Sequence, residues 1–244
     1  MENVVDRYRH MAIREDEEEI NLDEGELEGV PAEEVATGFP VIGQVLMDRK
    51  VRFSELKDQM LTLWRPGKGM SVKEIGGKRY VFSFNHRFDM KRVLDGGLWQ
   101  YGRSLVLLKE IMPDDIPHKI VLNEAEFWVQ VHNVPYSLVN LGTVRRVGSF
   151  LGEFVKYDDN QKKEKLEPYM RVKILMKMDK SLKKETNLKK DGKSFWVDFK
   201  YERLSTFCFS CGLVGHSDYF SPLNYEKDWF WKKDMDPLLE QLAG

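Results

Sequence analysis

The sequence has few of the features that cross-link a chain through disulfides or anchor it in a membrane. Only two of its 244 residues are cysteine, which excludes a scaffold held by several disulfides. It has no run of about 18 apolar residues, the length that a membrane-spanning helix needs. The first 20 residues contain no apolar segment of the signal-peptide type. We therefore expect an intracellular protein with no membrane partner.

Motifs of nucleotide-dependent catalysis are also missing. The sequence contains neither G-x-x-x-x-G-K-[ST] nor G-x-G-x-x-G, and "RPGKG" has the wrong spacing for a phosphate-binding loop. The five histidines are scattered, and no group of carboxylates has the pattern of a two-metal site. We therefore expect a protein that is not an enzyme and has no small-molecule substrate.

The net charge of −2 conceals a strong asymmetry along the chain. Residues 1–36 carry 13 acidic and 3 basic side chains, whereas residues 37–244 carry 27 acidic and 35 basic ones. The composition of residues 1–37 predicts an acidic, disordered arm. The moderately basic remainder is suited to contact with phosphates.

A first folded unit is predicted over residues 38–112. Its hydrophobic pattern gives the order βαββαβ, with Ser54 as the expected N-cap of the first helix and "GGLWQYGR" as a turn. Such an order places two helices on one face of an antiparallel sheet, as in ferredoxin-like and RNA-recognition-like α+β folds. The other face of the sheet would then be open.

The third strand of this unit lacks the aromatic pair on which RNA-recognition motifs stack bases. Alignment with the usual pattern places Arg79 and Val81 at the two stacking positions. Tyr80, Phe82 and Phe84 would face the helices and form core. Arg79, with the neighbouring Lys78, remains a candidate contact to nucleic acid.

A second α/β unit is predicted over residues 113–203. Alternating strands surround a helix written "LGTVRRVGSFLGEFV", and "KSLKKETNLKKDGK" reads as a basic loop or hairpin. Residues 156–200 carry 14 basic and 8 acidic side chains, which indicates either a solvated surface or phosphate contacts near the C-terminal motif. Residues 224–244 form an aromatic and basic tail, either a stacking surface or a segment packed on the body.

Residues 204–223 contain most of a zinc-knuckle motif. Cys208, Cys211 and His216 have the spacing C-x2-C-x4-H, but Ser221 stands where the fourth ligand is expected. Two thiolates and an imidazole are typical zinc ligands, and a serine hydroxyl is a poor one. The residues leave open tight zinc binding, weak or partial binding, no metal, and a redox C-x-x-C.

The chain resembles plant proteins that join a domain of unknown function to a CX2CX4HX4C zinc knuckle, and gag-like first-open-reading-frame proteins of plant LINE-type retrotransposons. The stretches that carry the resemblance include "VIGQVL", "RYVFSF", "FWVQVHNVP" and "FKYERLSTFCFSCGLVGH". The resemblance implies nucleic-acid binding, and zinc binding through Cys208, Cys211 and His216. It also implies that Phe209, after the first cysteine, holds a base; Ser217 departs from the second base-holding position.

Two functions from different classes follow. The first is non-catalytic binding of RNA or single-stranded DNA, through Phe209 and the basic residues Lys78, Arg79 and Arg203, in the nucleus rather than the cytoplasm. The second is a protein-interaction or assembly module that has lost nucleic-acid and zinc binding. Self-association is expected in the second case. The degenerate fourth ligand position at Ser221 is compatible with either.

Overall fold

The fold begins with an antiparallel sheet and two helices. The computed structural model describes residues 38–158 and 169–224. The elements of the first unit are β1 (Phe39–Leu46), α1 (Phe53–Trp64), β2 (Met70–Gly76), β3 (Arg79–Phe84), α2 (Arg87–Asp95), β4 (Trp99–Tyr101) and β5 (Ser104–Glu110). The strand order is β2-β3-β1-β5-β4, and all neighbouring strands are antiparallel. The predicted order of elements is confirmed, with one additional strand.

The core of this unit lies between the sheet and its two helices. Tyr80, Phe82 and Phe84 are buried, as predicted, and the Trp64 ring lies 4.8 Å from that of Phe82 in an edge-to-face arrangement. The other buried residues of this core are Val41, Val45, Leu56, Met60, Met90, Val93 and Val106. Alternation along β3 therefore directs its aromatic side chains toward the helices and leaves Arg79 and Val81 on the opposite face.

Two local predictions in this unit were wrong. Helix α1 begins at Phe53 with Arg52 at the N-cap position, so Ser54 lies inside the helix and does not cap it. Trp99–Tyr101 forms strand β4, where a turn was expected. The Trp99 indole N–H donates to the Val93 carbonyl at 2.7 Å, and this bond ties the segment to the end of α2. Only two residues separate β4 from β5, so the segment is the first strand of a tight hairpin whose turn is Gly102–Arg103.

The second unit is also built on an antiparallel sheet. Its elements are β6 (Glu124–His132), α3 (Leu141–Leu151), β7 (Glu153–Tyr157), β8 (Tyr169–Lys177), β9 (Glu185–Lys190) and β10 (Lys193–Tyr201). The strand order is β7-β8-β6-β10-β9. Helix α3 packs on β7 and β8. It therefore leaves the part of the same sheet face near β9 uncovered. The described chain is thus mixed α and β, with two antiparallel sheets and few helices.

The prediction that helix α3 continues through Phe154 was wrong. The helix ends at Leu151, and Glu153–Tyr157 pairs with β8 as strand β7. Gly152 marks the change: a Cβ atom at this position would lie 2.4 Å from the Leu175 carbonyl oxygen. This close approach of the two backbones requires glycine at position 152. Because the backbones are already adjacent there, the strand pairing begins directly after the helix.

The second face of the first sheet is covered instead of open. Ile42, Leu105 and Leu107 are buried on it, and the two leucines share a hydrophobic cluster with the core of the second sheet. The Arg79 guanidinium donates to the carbonyl of His118 at 2.8 Å and also to that of Ile120. The connection between the two units is thereby held against the sheet face that the sequence predicted to be open.

Several predicted segments lie outside the described residues. These are the acidic arm at residues 1–37, residues 159–168 of the basic stretch 156–200, and residues 225–244 of the tail that begins at 224. The helices found in the described ranges are all too short or too polar to cross a membrane.

We expect Arg79→Met to lower the free energy of unfolding by about 1–3 kcal/mol, because two backbone carbonyls lose charged donors. Lys73→Met, at an exposed position of β2, is the matched control and should change stability little. Urea unfolding of both variants measures the difference. Equal stability of the two variants would show that Arg79 does not hold the connection.

Candidate zinc knuckle and nucleic-acid surface

A short hairpin forms the frame of the zinc-knuckle motif. Phe207 and Val214 pair in an isolated antiparallel bridge. Within the hairpin the Cys208 N–H donates to the Leu213 carbonyl at 2.9 Å, and the Gly212 N–H donates to the Cys208 carbonyl at 2.8 Å. Gly212 has a φ of 75°, a left-handed conformation that glycine adopts without strain. The chain therefore folds back so that the two cysteines approach each other.

The structure brings all three predicted ligands together. The side-chain donor atoms of Cys208, Cys211 and His216 lie within 4.8 Å of one another. Cys211 Sγ is 3.3 Å from His216 Nε2. In a tetrahedral zinc site with Zn–S of about 2.3 Å and Zn–N of about 2.0 Å, neighbouring ligand atoms are separated by about 3.5–3.8 Å. The cluster is consistent with a zinc site held by these three residues.

Ser221 lies at the fourth ligand position of the motif, and its hydroxyl is a buried polar group. The residue is fully buried, and no hydrogen bond of good geometry joins its Oγ to a described residue. The hydroxyl nevertheless lies close enough to Cys208 to affect the pKa of its thiol. A buried polar atom without a partner costs free energy, and its place beside a ligand sulfur marks the position from which a fourth ligand would come.

Asp218 approaches the same sulfur from another side. Its Oδ1 accepts hydrogen bonds from the Ser210 N–H at 2.9 Å and from the Ser210 hydroxyl at 3.2 Å, and it lies 3.4 Å from Cys208 Sγ. Burial acts to raise the pKa of Asp218, but the backbone N–H of Ser210 and the other donors outweigh it and lower the pKa. The carboxylate therefore stays charged and remains hydrogen-bonded to Ser210 in the loop.

Opposing effects act on the pKa of the Cys208 thiol. Burial alone would raise its pKa, but the Ser221 hydroxyl and the N–H groups of Cys211 and Ser210 act in the opposite direction, and the pKa is lowered on balance. Thiolates are the form that binds Zn²⁺. The donor set thus fits zinc at three positions and lacks a strong fourth ligand at Ser221. Bound zinc would supply a rigid cross-link between the three residues.

The knuckle is fixed to the rest of the protein by several hydrogen bonds. The Ser181 hydroxyl donates to the Cys211 carbonyl at 2.7 Å, and the Leu182 N–H donates to the Gly212 carbonyl at 2.9 Å. The Thr206 N–H donates to the Arg103 carbonyl at 2.7 Å, which ties the start of the motif to the first sheet. The motif is therefore part of the folded body and not a separate module on a linker.

Phe209 and Tyr219 are the most exposed aromatic residues of the knuckle, at 79% and 82%. Phe209 lies between the two cysteines in the sequence, and its ring centroid is 4.4 Å from that of Phe207. The contact with Phe207 limits the orientations of the ring. A preoriented, exposed ring of this kind is suited to stacking against a nucleic-acid base.

The other candidate contacts are placed less favourably. The guanidinium of Arg79 is used by the connection between the units, and the Lys78 amino group donates to the Met47 carbonyl. Arg203 is exposed, and its backbone carbonyl accepts a hydrogen bond from Gln100 at 2.9 Å. No hydrogen bond or ring contact within the described ranges joins Lys78, Arg79 or Arg203 to Phe209, and their predicted role stays a prediction.

Sequence reasoning did not find a concave surface on the second unit, which we call the basic groove. The groove lies between α3 and β9 and has a volume of about 620 Å³. Its lining residues are Leu138, Asn140, Gly142, Thr143, Arg146, Val147, Phe150, Thr186, Asn187, Leu188, Lys189 and Lys190. A signal existed in the sequence, because Arg146 and Phe150 are four residues apart on one helix face. Strands β9 and β10 form the hairpin that was one of the two alternatives predicted for this segment, but the position of this hairpin beside α3 depends on tertiary contacts.

Comparison with known families divides the chain into two matched parts. Residues 37–118 match the model of a domain of unknown function (DUF4283). Residues 176–223 match the model of a zinc knuckle. The chain therefore contains a DUF4283 domain followed by a CCHC-type zinc knuckle, as the resemblance had suggested. No curated protein matches the sequence.

The zinc-knuckle match includes strands that precede the motif itself. Its range covers β9 and β10 as well as the Cys208–His216 cluster. The hydrogen bonds from Ser181 and Leu182 to the knuckle lie within the same range. The matched segment thus contains both the knuckle and the Ser181–Leu182 segment that is hydrogen-bonded to it.

We expect Ser221→Cys to raise zinc affinity by about tenfold or more, equivalent to at least about 1.4 kcal/mol. The substitution keeps the size of the side chain and supplies the missing thiolate beside Cys208. Competition against a chromogenic chelator measures the affinity. Ser221→Ala is the control, because it removes the hydroxyl and adds no ligand.

Wild-type affinity equal to that of Ser221→Cys would contradict this interpretation and indicate that the hydroxyl already completes the site. A loss of affinity in Ser221→Ala would point to the same conclusion.

Proposed function

We propose that the protein binds single-stranded nucleic acid, RNA or single-stranded DNA, without catalysing a reaction and without a small-molecule substrate. The observation that carries this proposal is the exposed ring of Phe209 on a knuckle fixed to a folded body. A base that stacks on such a ring gains about 1–3 kcal/mol. Because every base has a flat face, this contact requires no particular sequence.

The charge of the body supports the same function. Outside the acidic arm the chain has an excess of basic side chains, and cations near a polynucleotide release counterions from its phosphates. Binding should therefore weaken as salt rises. Stacking on Phe209 would add to this charge-dependent attraction.

The first unit contributes to the proposal as a scaffold. Its strand order and its two helices support assignment to the RNA-recognition-like, or ferredoxin-like, folds. In RNA-recognition motifs the sheet face opposite the helices binds RNA, and here that face carries buried Ile42, Leu105 and Leu107. We assign the binding to the second unit and the knuckle instead.

A finer assignment rests on the order of the domains. A DUF4283 domain followed by a CCHC knuckle supports descent from gag-like proteins of plant LINE-type retrotransposons. An intracellular location, with the nucleus favoured, belongs to the same proposal, since the two free thiols need a reducing compartment to bind metal.

A second candidate function is an assembly module without nucleic-acid binding. Two observations favour it: the covered face of the first sheet and the serine at position 221 of the zinc knuckle. Sedimentation before and after nuclease treatment separates the two functions. Self-association that persists after nuclease, with no polynucleotide binding, would favour the assembly module.

We expect Phe209→Ala to weaken binding of an oligouridylate or oligothymidylate by about 5- to 150-fold, the equivalent of one lost stacking contact. Fluorescence anisotropy at about 50 mM salt, where phosphate contacts are strong, measures the affinity. Phe88→Ala removes another exposed phenylalanine, 67% exposed on α2, and should leave affinity unchanged.

The proposal fails if the wild-type protein shows no binding under these conditions. Equal weakening by Phe209→Ala and Phe88→Ala would remove the knuckle from the binding surface.

A further inference from the structure

We propose that the basic groove is a second contact site for the same single strand, continuous with Phe209 on the knuckle. The inference rests on the proposed function and extends it, because it assigns a path for the strand across the second unit. It is drawn from the shape of the groove, the charges on its rim and the segment that joins it to the knuckle.

The groove exists because one helix covers only part of a five-stranded sheet. Helix α3 packs on β7 and β8, whereas β9 is the edge strand at the other side. Phe150 on the helix and Leu188 on β9 therefore stay partly accessible, and Phe150 is 44% exposed. An aromatic ring and aliphatic side chains form the floor of the groove.

The rim of the groove is positively charged. Arg146, Lys189 and Lys190 line it, and none of the described lining residues carries a carboxylate. All three side chains are exposed, and none of them has a hydrogen bond or an ion pair with the residues at 38–158 and 169–224. Three cations without internal partners are available to contact phosphates.

A short segment connects the groove to the knuckle. Ser181 and Leu182 hydrogen-bond to the carbonyls of Cys211 and Gly212. The next residue, Lys183, places its amino group 3.6 Å from the centre of the Phe150 ring and donates to the Phe150 carbonyl. Adjacent residues thus contact both sites.

Further cations lie along this segment. Lys180 and Lys184 are exposed on either side of the contacts to the knuckle and to Phe150. Partial burial lowers the pKa of Lys183, and the charge of Lys180 lowers it further. A cation lowers the pKa of a neighbouring lysine in this way where cations outnumber nearby carboxylates. A polyanion that leaves the knuckle therefore meets positive charge as far as the groove.

The other face of the second sheet is less suited to a polyanion. Its Arg171 guanidinium is 4.0 Å from the Trp128 ring and pairs with Asp158 and Glu202 at 2.7 Å. Lys173 pairs with Glu126. Arg171 and Lys173 on that face are therefore paired with carboxylates, whereas Arg146, Lys189 and Lys190 have no such pair with a described residue.

The combination of an apolar floor and a cationic rim identifies the ligand class. A single strand offers phosphates to Arg146, Lys189 and Lys190 and a base to the ring of Phe150. An acidic peptide would satisfy the rim but offers no regular series of flat groups to the two phenylalanines. We therefore assign the groove to single-stranded nucleic acid.

The experiment compares two variants that lose the same charge. The groove variant combines Arg146→Gln, Lys189→Gln and Lys190→Gln. The control variant combines Lys57→Gln, Arg87→Gln and Lys91→Gln, all exposed positions on α1 and α2. Each is titrated with oligouridylates of about 4 and about 12 nucleotides, within the range of known single-strand site sizes.

For the longer oligonucleotide, we expect the groove variant to bind about tenfold or more weakly than the control variant. Its slope of log affinity against log salt should be smaller by about 2, because each phosphate contact to a single strand contributes about 0.7. The shorter oligonucleotide, held mainly at Phe209, should distinguish the two variants much less.

The outcomes separate this inference from the proposed function. If the wild type binds and Phe209→Ala weakens binding, but the groove and control variants are equal, the groove inference is overturned and the proposed function stands. If the wild type does not bind, the proposed function fails and the inference with it. Equal competition by polyglutamate and by oligouridylate of the same charge would overturn the assignment of the ligand class.

Discussion

The packing of the first sheet against the second unit is the constraint on which the rest of the structure depends. Leu105 and Leu107 belong to the same hydrophobic cluster as Phe127 and Val172 of the second sheet. Burial of this apolar surface is the main favourable term that holds the units together. It also covers the sheet face that an RNA-recognition-like domain would leave open. A surface for nucleic acid must then be sought elsewhere.

The same packing explains why the knuckle is part of the body. The Thr206 N–H is hydrogen-bonded to the Arg103 carbonyl at the end of the first sheet. The Gly212 carbonyl is hydrogen-bonded to the Leu182 N–H beside the second sheet. Gly215, with a φ of 107°, lies against Leu46, and a Cβ atom there would be 3.2 Å from the leucine Cβ. Since three separate elements hold the hairpin, its frame does not depend on metal alone, unlike that of an isolated knuckle. This support is a physical reason why serine is tolerated at position 221.

The sequence predicted what local patterns determine and missed what tertiary contacts determine. The element order of the first unit, the inward direction of Tyr80 and Phe82, and the cluster of Cys208, Cys211 and His216 were all predictable, because each follows from spacing within one segment. The covered sheet face was not, since it depends on residues far apart in the chain. Arg79 was predicted as a contact to nucleic acid, but its guanidinium donates to the connection between the units.

Photo-crosslinking tests the central claim most directly. An oligonucleotide that contains 4-thiouridine at each position in turn is irradiated with the wild-type protein, and the crosslinked peptides are identified by mass spectrometry. We expect crosslinks to the peptides of Phe209 and Phe150, and none to the peptide of Arg79 and Val81. Crosslinks confined to Arg79 and Val81 would contradict the account, because they would place the strand on the covered face of the first sheet.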